Sequence, residues 1–426
     1  MPLMRVLFIS RSFPRNLRTY VSGTFQRMAL FIEAIGGIAD LDMLFYVPPD
    51  MDLSPATVSE LERTLASYWN SKINLFLCPR VQREDPSSKW RLYAEPALSF
   101  FRQPGYFETT GPQQVRAFEA CLARRPDAIF AHRLVAMCPL LLTEKRLPPV
   151  FFDLDDIEHR ALGRAIDSHS PWRDKVVTYA RIPALWWGER RAIRMAHRTF
   201  VCSDLDREYL TKRCRLSGIA TVPNAVARVE RLPGAAEPTL LFVGAYWYQP
   251  NADAAAFLIE RVWPRIHQAM PQARLIIAGV SPELIPGYNS RPPGVEFTGF
   301  VDDLEALYRR SAVVCAPILS GAGTRVKIIE AAAYGRPVVS TTLGAEGLSL
   351  RDGRELLLRD EPGPFAGACL ELLRDPLLRE SVGAAAHAAV GAHYWRDNVV
   401  RVIQSYMQDE RQFAETFQPV AEAGKP

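Results

Sequence analysis

Cysteine is sparse and scattered: seven in 426 residues, at positions 78, 121, 138, 202, 214, 315 and 369, with no C-x-x-C pair. That spacing excludes a disulfide framework and a structural zinc ribbon, and predicts a reduced, cytoplasmic protein. No apolar run approaches the roughly 18 residues that a bilayer-crossing helix needs. The opening Arg5-Val-Leu-Phe-Ile-Ser10 reads as a strand and not as a leader peptide. After it comes Arg11-Ser-Phe-Pro-Arg-Asn-Leu-Arg18 where a dinucleotide-binding enzyme would carry G-x-G-x-x-G, which disfavours nicotinamide and flavin chemistry. That basic loop could instead face an acceptor or donor phosphates. Charge of one sign is not in large excess. The net is +4, and residues 1–200 hold 27 Lys+Arg against 21 Asp+Glu, so the first half is the basic one. With no recognisable module beside that charge, nucleic-acid binding is not expected.

What is present is a soluble composition, 48% hydrophobic and 23% charged, in a chain long enough for two or three domains. Strand candidates recur at Val6–Ser10, Asp42–Tyr46, Ala128–Ala131, Val150–Asp153, Thr199–Cys202 and Ala220–Val222. Helical patterns lie between them, including Thr24–Ala34 and Gln113–Ala123. Residues 48–112 are less regular and read as an insertion or an elaborated acceptor face. A Pro/Gly/Ala/Glu stretch, Val226–Pro238, reads as a linker. A second series follows, with strands at Thr239–Gly244, Arg274–Gly279, Val295–Phe297, Val313–Pro317 and Pro337–Ser340. Its helices are expected at Ala252–Gln268, Gly363–Leu373 and Pro376–Gly391. A last helix, 394–412, can cross back to the first domain, and the tail after it reads as disordered. Strand–helix alternation implies parallel βαβ units, hence two doubly wound α/β domains, 1–230 and 239–393, facing a cleft.

The densest signal lies at 312–347. A buried-type strand leads into Ser320-Gly-Ala-Gly323, Thr324 stands at the N-cap position, and a helix carries Lys327 and Glu330 on one face before Gly335 and Pro337 end it. Glycine loops ahead of helices offer backbone N–H groups to phosphates. Arg325 and Lys327 fall in the first turn, where the helix dipole opposes them by roughly 0.3–1 kcal/mol each. A charge-assisted bond to phosphate returns about 1.5–3 kcal/mol. Two cations so placed fit an anionic ligand better than they fit helix stability, with solvation of both as the plain alternative.

These residues resemble the family 4 glycosyltransferases. The resemblance covers nearly the whole chain and is strongest at 239–347: Phe242-Val-Gly244, Gly299-Phe300-Val-Asp302, the run Gly323-Thr-Arg-Val-Lys-Ile-Ile-Glu330 through Gly335-Arg-Pro-Val-Val339, and Gly344-Ala-Glu-Gly347. In the first half Asp127-Ala-Ile-Phe-Ala-His132, Val201-Cys-Ser203 and Val222-Pro-Asn224 also match. The resemblance implies the GT-B fold of two Rossmann-like domains. It implies a retaining, metal-independent transfer of a sugar from a UDP- or GDP-type donor, with no further cofactor. The implied acceptor is a surface polysaccharide or lipid-linked glycan. Glu330 would hold the donor ribose. Gly23, Gly244, Phe300, Gly323, Thr324 and Arg325 would contact the donor, as would Lys327. His132 would touch the transferred sugar or assist the leaving group, its alternative being a satisfied core histidine.

Two departures stand out. The family's first motif Glu would fall at position 322, which is Ala, and the loop after Gly244 lacks the family's usual Arg and Lys. Arg325 and Lys327 are expected to replace that pair. A non-catalytic nucleotide-sugar-binding or scaffold protein of the same fold therefore stays open, as does an epimerase or hydrolase. Asp153-Leu-Asp155 has the D-x-D pattern of a metal–diphosphate site, but the expected role is helix capping and no metal is assigned. Residues 159–198 hold nine Arg/Lys against three Asp/Glu, with Trp172, Trp186 and Trp187. They read either as a surface for anionic lipid headgroups on the inner membrane face or as a solvated helix with its tryptophans in the core.

Overall fold

The structure is a computed structural model that describes residues 4–14, 17, 23–82, 89–165, 172–321 and 323–416. The expectations for Ala322, for most of the 15–22 loop and for the tail after 416 lie outside the described residues.

Two parallel sheets carry the chain. The first contains β1 (Met4–Ser10), β2 (Ala39–Val47), β3 (Ile73–Pro79), β4 (Ala128–His132), β5 (Val150–Asp155), β6 (Arg198–Val201) and β7 (Ile219–Thr221). Its order is β3-β2-β1-β4-β5-β6-β7. The second contains β8 (Thr239–Val243), β9 (Arg274–Ala278), β10 (Val295–Gly299), β11 (Val313–Ala316), β12 (Val338–Ser340) and β13 (Leu357–Leu358). Its order is β10-β9-β8-β11-β12-β13. In each, the chain winds outward from a central strand in both directions, and the reversal leaves a crevice at the carboxyl ends of the middle strands.

Both faces of each sheet are covered, which is why the central strands are continuously apolar. In β1, Val6 and Phe8 point into one core while Leu7 and Ile9 point into the other. In β8, Leu240 and Phe242 take one side and Leu241 the opposite. The first of these cores also receives Val399, Ile403 and Met407 from the last helix, Arg396–Thr416. That helix lies against Gly23–Gly36, where Arg396 Nε donates to Glu33 at 2.6 Å and Gln404 donates to the Ala34 carbonyl at 3.0 Å.

Three expectations are corrected. The stretch 48–112 is not an insertion: it supplies helix Pro55–Trp69 and the edge strand β3, paired with β2 over seven residues. Ser54 caps that helix by accepting from Thr57 N–H, and Asn70, at φ 47°, ends it. The helix expected at 252–268 is interrupted by a wide turn at Leu258–Val262 before it resumes at Trp263. Pro264 has no N–H to give to residue 260, and the wider turn absorbs the break. Thr324 is not the N-cap of its helix. The helix runs Val326–Ala333, and Arg325 occupies the cap position without a side-chain cap bond.

Candidate functional site

The carboxyl ends of the two sheets face each other, and several contacts join them. Asn224 Nδ2 donates to Thr324 Oγ1 at 2.8 Å, so the buried threonine hydroxyl serves the junction between halves. Arg164 forms a bidentate pair with Glu346, its Nη2 at 2.7 Å from Oε1. Gly347 sits so close to Ser203 that a Cβ there would lie 2.8 Å from the serine Cβ. Arg160, Arg164 and Ser203 from one side and Gly323, Glu346 and Gly347 from the other line a shared pocket.

On the second sheet's side, Gly321 and Gly323 have φ of +96° and +77°, a region open to glycine at no steric cost. A Cβ on Gly323 would lie 2.0 Å from Asp156 Oδ1, so the loop is held against the end of β5. Lys327 Nζ donates to Asn251 Oδ1 at 2.7 Å and lies 4.4 Å from the centre of the Phe242 ring. Burial, reinforced by Arg325, pulls its pKa down to about 7. Glu330 Oε2 accepts from the Tyr308 hydroxyl at 2.9 Å, and Tyr308 in turn stacks on Tyr334 with centroids 4.8 Å apart. Burial raises the Glu330 pKa, while Tyr308 and Lys327 act against that rise. Glu330 retains acceptor capacity beyond the Tyr308 bond, as a diol requires. Arg325 Nη2 donates to the Ser320 carbonyl at 3.3 Å, bracing the glycine loop.

On the first sheet's side, His132 ends β4 and is buried. Its Nδ1 lies 2.9 Å from Ser10 Oγ, which already accepts from Ser12 N–H. The serine hydroxyl can give its proton to Nδ1, an arrangement that would leave the ring hydrogen on Nε2. That Nε2 has no hydrogen-bond partner among the described residues. Burial, then Arg133 and Arg27, hold the His132 pKa well below its usual value. The imidazole is neutral and offers one N–H donor.

The D-x-D residues have other occupations. Asp153 accepts from Arg27 Nε at 3.0 Å and Nη2 at 2.6 Å. Asp155 lies 3.3 Å from Arg27 Nε, and Asp156 lies 3.9 Å from Arg133. Asp155, Asp156 and Cys202 do bring three donor atoms within 4.8 Å of one another, but the arginines supply positive charge to the same carboxylates.

Of the positions singled out from sequence, Gly323, Thr324, Arg325, Lys327 and Glu330 fall on one loop and helix. Gly244 ends β8 against Asn251: a Cβ there would lie 3.1 Å from the asparagine Cγ. Phe300 follows β10 and is exposed, with no contact to this cluster among those described. Gly23 opens helix Gly23–Gly36, and among the described residues no heavy atom lies within 4 Å of where a Cβ would stand. Four site residues were missed: Asn251, Tyr308, Asp156 and Arg133. Asn251 carries a signal, being a polar side chain in the loop that lacks the family's usual cations. The other three depend on contacts between segments far apart in sequence.

Residues 237–375 match the family described as glycosyl transferases group 1. The phosphatidyl-myo-inositol mannosyltransferase of Mycobacterium leprae is 29% identical over 236 residues, which cover 52% of this chain and 60% of that protein. Its Mycobacterium tuberculosis H37Rv counterpart is 31% identical over 222 residues, covering 48% and 57%. The match thus spans less than two thirds of these relatives' length. Among solved structures, sucrose-phosphate synthase from Thermosynechococcus elongatus has a TM-score of 0.70 at 16% identity, covering 97% of this chain and all (100%) of that one. Anabaena HepE in complex with UDP-glucose has a TM-score of 0.62 at 14% identity, covering 95% and 100%. At these identities the two structures speak for the fold.

Proposed function

We propose that this chain, which belongs to the family 4 glycosyltransferases, moves a sugar from a nucleoside diphosphate donor to a hydroxyl of a glycan or lipid-linked glycan. Residues 239–393 take the donor. Residues 1–230, with the crossing helix packed on them, take the acceptor. The observation that carries the reading is the Lys327–Glu330 helix, which presents a cation and a carboxylate one turn apart behind a left-handed glycine loop. A diphosphate suits the loop N–H groups and Lys327, and a ribose diol suits Glu330.

Transfer by departure and attack on the same face of the sugar retains configuration and needs no protein nucleophile. Lys327, Arg325 and the loop stabilise the leaving diphosphate. His132, neutral and with Nε2–H free, orients a sugar hydroxyl. Closure of the two halves, held by contacts such as Arg164–Glu346, excludes water and limits hydrolysis. The mycobacterial relatives' name, phosphatidyl-myo-inositol mannosyltransferase, supports a lipid-linked acceptor. UDP-glucose in the Anabaena structure supports a UDP-type donor. Those two supports also favour a location at the cytoplasmic face of a membrane.

The test is calorimetric titration of UDP, GDP, ADP and their common sugars into the wild type and Glu330→Ala, with and without chelator. One nucleotide is expected to bind, insensitive to chelator and weakened at least about tenfold in the variant. Donor turnover should require added acceptor. Absence of binding by every nucleotide would overturn the reading.

A further inference from the structure

We infer that the outward face of the long helix Trp172–Met195 docks this chain on an anionic lipid surface, an inference that rests on the lipid-linked acceptor reading for its purpose but not for its test. The outward positions of this helix are Trp172, Val176, Tyr179, Ala180, Pro183 and Trp187. Trp172 is 70% exposed, Val176 57%, Tyr179 53% and Trp187 64%. At 1.5 Å per residue the stripe runs about 22 Å along the helix, and these six described side chains carry no charge. A helix that merely faces water carries polar residues there. Nor does the stripe reflect loose packing, because the opposite face is anchored: Leu185, Ala192 and Ile193 are buried in the first domain's core. The adjoining helix Lys89–Leu98 adds Leu98, 85% exposed.

Charge selects the occupant. Lys175 flanks the stripe, and the exposed Arg191 and Arg194 continue it toward the helix end. Glu189 is the acidic residue of this helix whose side chain is described, and it is turned inward onto His159. Among the described side chains, the outward charge is therefore all positive. Apolar rings with a polar edge, bordered by cations, match the boundary between anionic headgroups and acyl chains. The placement serves the site. The helix packs on Glu158–Ala165, whose Arg160 and Arg164 line the pocket that Gly323 shares. A glycan on a lipid headgroup would reach the cleft from this side.

The experiment is co-sedimentation of the full chain, without donor or acceptor, with vesicles of mixed phosphatidylglycerol and phosphatidylcholine and with phosphatidylcholine alone. Wild type is expected on the anionic vesicles and to be released by salt. The double variant Val176→Glu/Trp187→Glu should lose at least about tenfold in partitioning. Lys175→Glu/Arg194→Glu should lose more than about fivefold per cation, since each charge is reversed and not only removed. Both variants should keep the wild-type circular dichroism and nucleotide affinity, because none of the four residues touches the donor site. Wild type that stays in the supernatant, or variants that sediment as wild type does, would overturn the inference. So would light scattering that shows a wild-type dimer split by Val176→Glu/Trp187→Glu, because the face would then join two copies. Nucleotide titration of the same preparations keeps the two readings separable. Vesicle binding without nucleotide binding would sink the donor reading alone, and the reverse would sink this one alone.

Discussion

Lys327 Nζ and Asn251 Oδ1 are 2.7 Å apart, joining the first turn of the helix Val326–Ala333 to the loop after β8. The loop that lacks its own cations is thereby furnished with one from the helix, and the ammonium is held between a carbonyl oxygen and the Phe242 ring. Removing it should weaken nucleoside diphosphate binding. For Lys327→Met we expect about a 10- to 150-fold loss of affinity by calorimetry, the worth of one charge-assisted bond. Unchanged affinity would mean that the diphosphate is held elsewhere.

The same lysine makes binding depend on pH. Its pKa is drawn down to about 7 by burial and by Arg325. A bound diphosphate favours the protonated form, so binding takes up a proton above that value and affinity falls as pH rises, by up to about tenfold per unit. Titrations in two buffers of different ionisation enthalpy at pH 8 should report that uptake. Stability of the ligand-free chain runs the other way. Between about 7 and the ordinary lysine value of 10.5 the unfolded chain binds the extra proton, so this group's contribution to stability rises with pH.

Tyr308 and Glu330 separate orientation from contact. Tyr308→Phe keeps the carboxylate and loses its 2.9 Å brace, so donor affinity should fall only a few-fold. Glu330→Ala removes the proposed contact to the ribose and also leaves the buried Tyr308 hydroxyl without its acceptor, which should cost about 1–3 kcal/mol of stability in urea unfolding. Equal loss of affinity in both variants would contradict a direct role for Glu330.

Gly323→Ala should damage both fold and site. A φ of +77° costs an alanine about 1–2 kcal/mol, and the new methyl must also displace Asp156. Thermal denaturation should show a lowered Tm, partly restored by adding Asp156→Ala, which relieves the clash and leaves the backbone strain.

Glu158 is pushed up to about 8 by burial and by Glu189, and it accepts from the Tyr106 hydroxyl. The folded chain therefore binds a proton that the unfolded chain releases between the ordinary value of 4.5 and about 8, and stability from this group declines as pH rises through that window. Glu158→Gln keeps an acceptor for Tyr106 and removes the titration. Its stability relative to wild type should improve from pH 5 to pH 8.5 in urea unfolding. A constant difference across that range would show that the carboxyl is not the titrating group.

Legibility in the sequence followed how local each signal was. Strands such as β1 and β8 were readable because burial on both faces makes them unbroken apolar runs. The glycine loop and Lys327–Glu330 were readable because their chemistry sits within about two helical turns. β3 was missed because an edge strand carrying Asn74 beside apolar residues lacks that uniformity, and its place is fixed by pairing with β2. The Thr324 cap failed because Asn224, 100 residues away, claims the hydroxyl. Asp156 at Gly323 and Tyr308 at Glu330 are likewise products of folding, with no spacing rule to reveal them.

The crossing helix Arg396–Thr416 has one further consequence. The chain passes between the two sheets twice, once through the stretch at 226–238 and once on its return near Trp395, where Val226 and Trp395 run side by side. Two adjacent passages would act as a strap hinge: a swing of the halves toward or away from each other would leave the bridge intact, whereas twisting one against the other would shear the paired backbone. Opening and closing should therefore follow nearly a single axis, so that Gly323 meets the end of β5 in the same register at every closure. A chain cut after residue 395 would keep every donor-side residue named above and lose that alignment, along with the apolar cover that Val399, Ile403 and Met407 give to the first core.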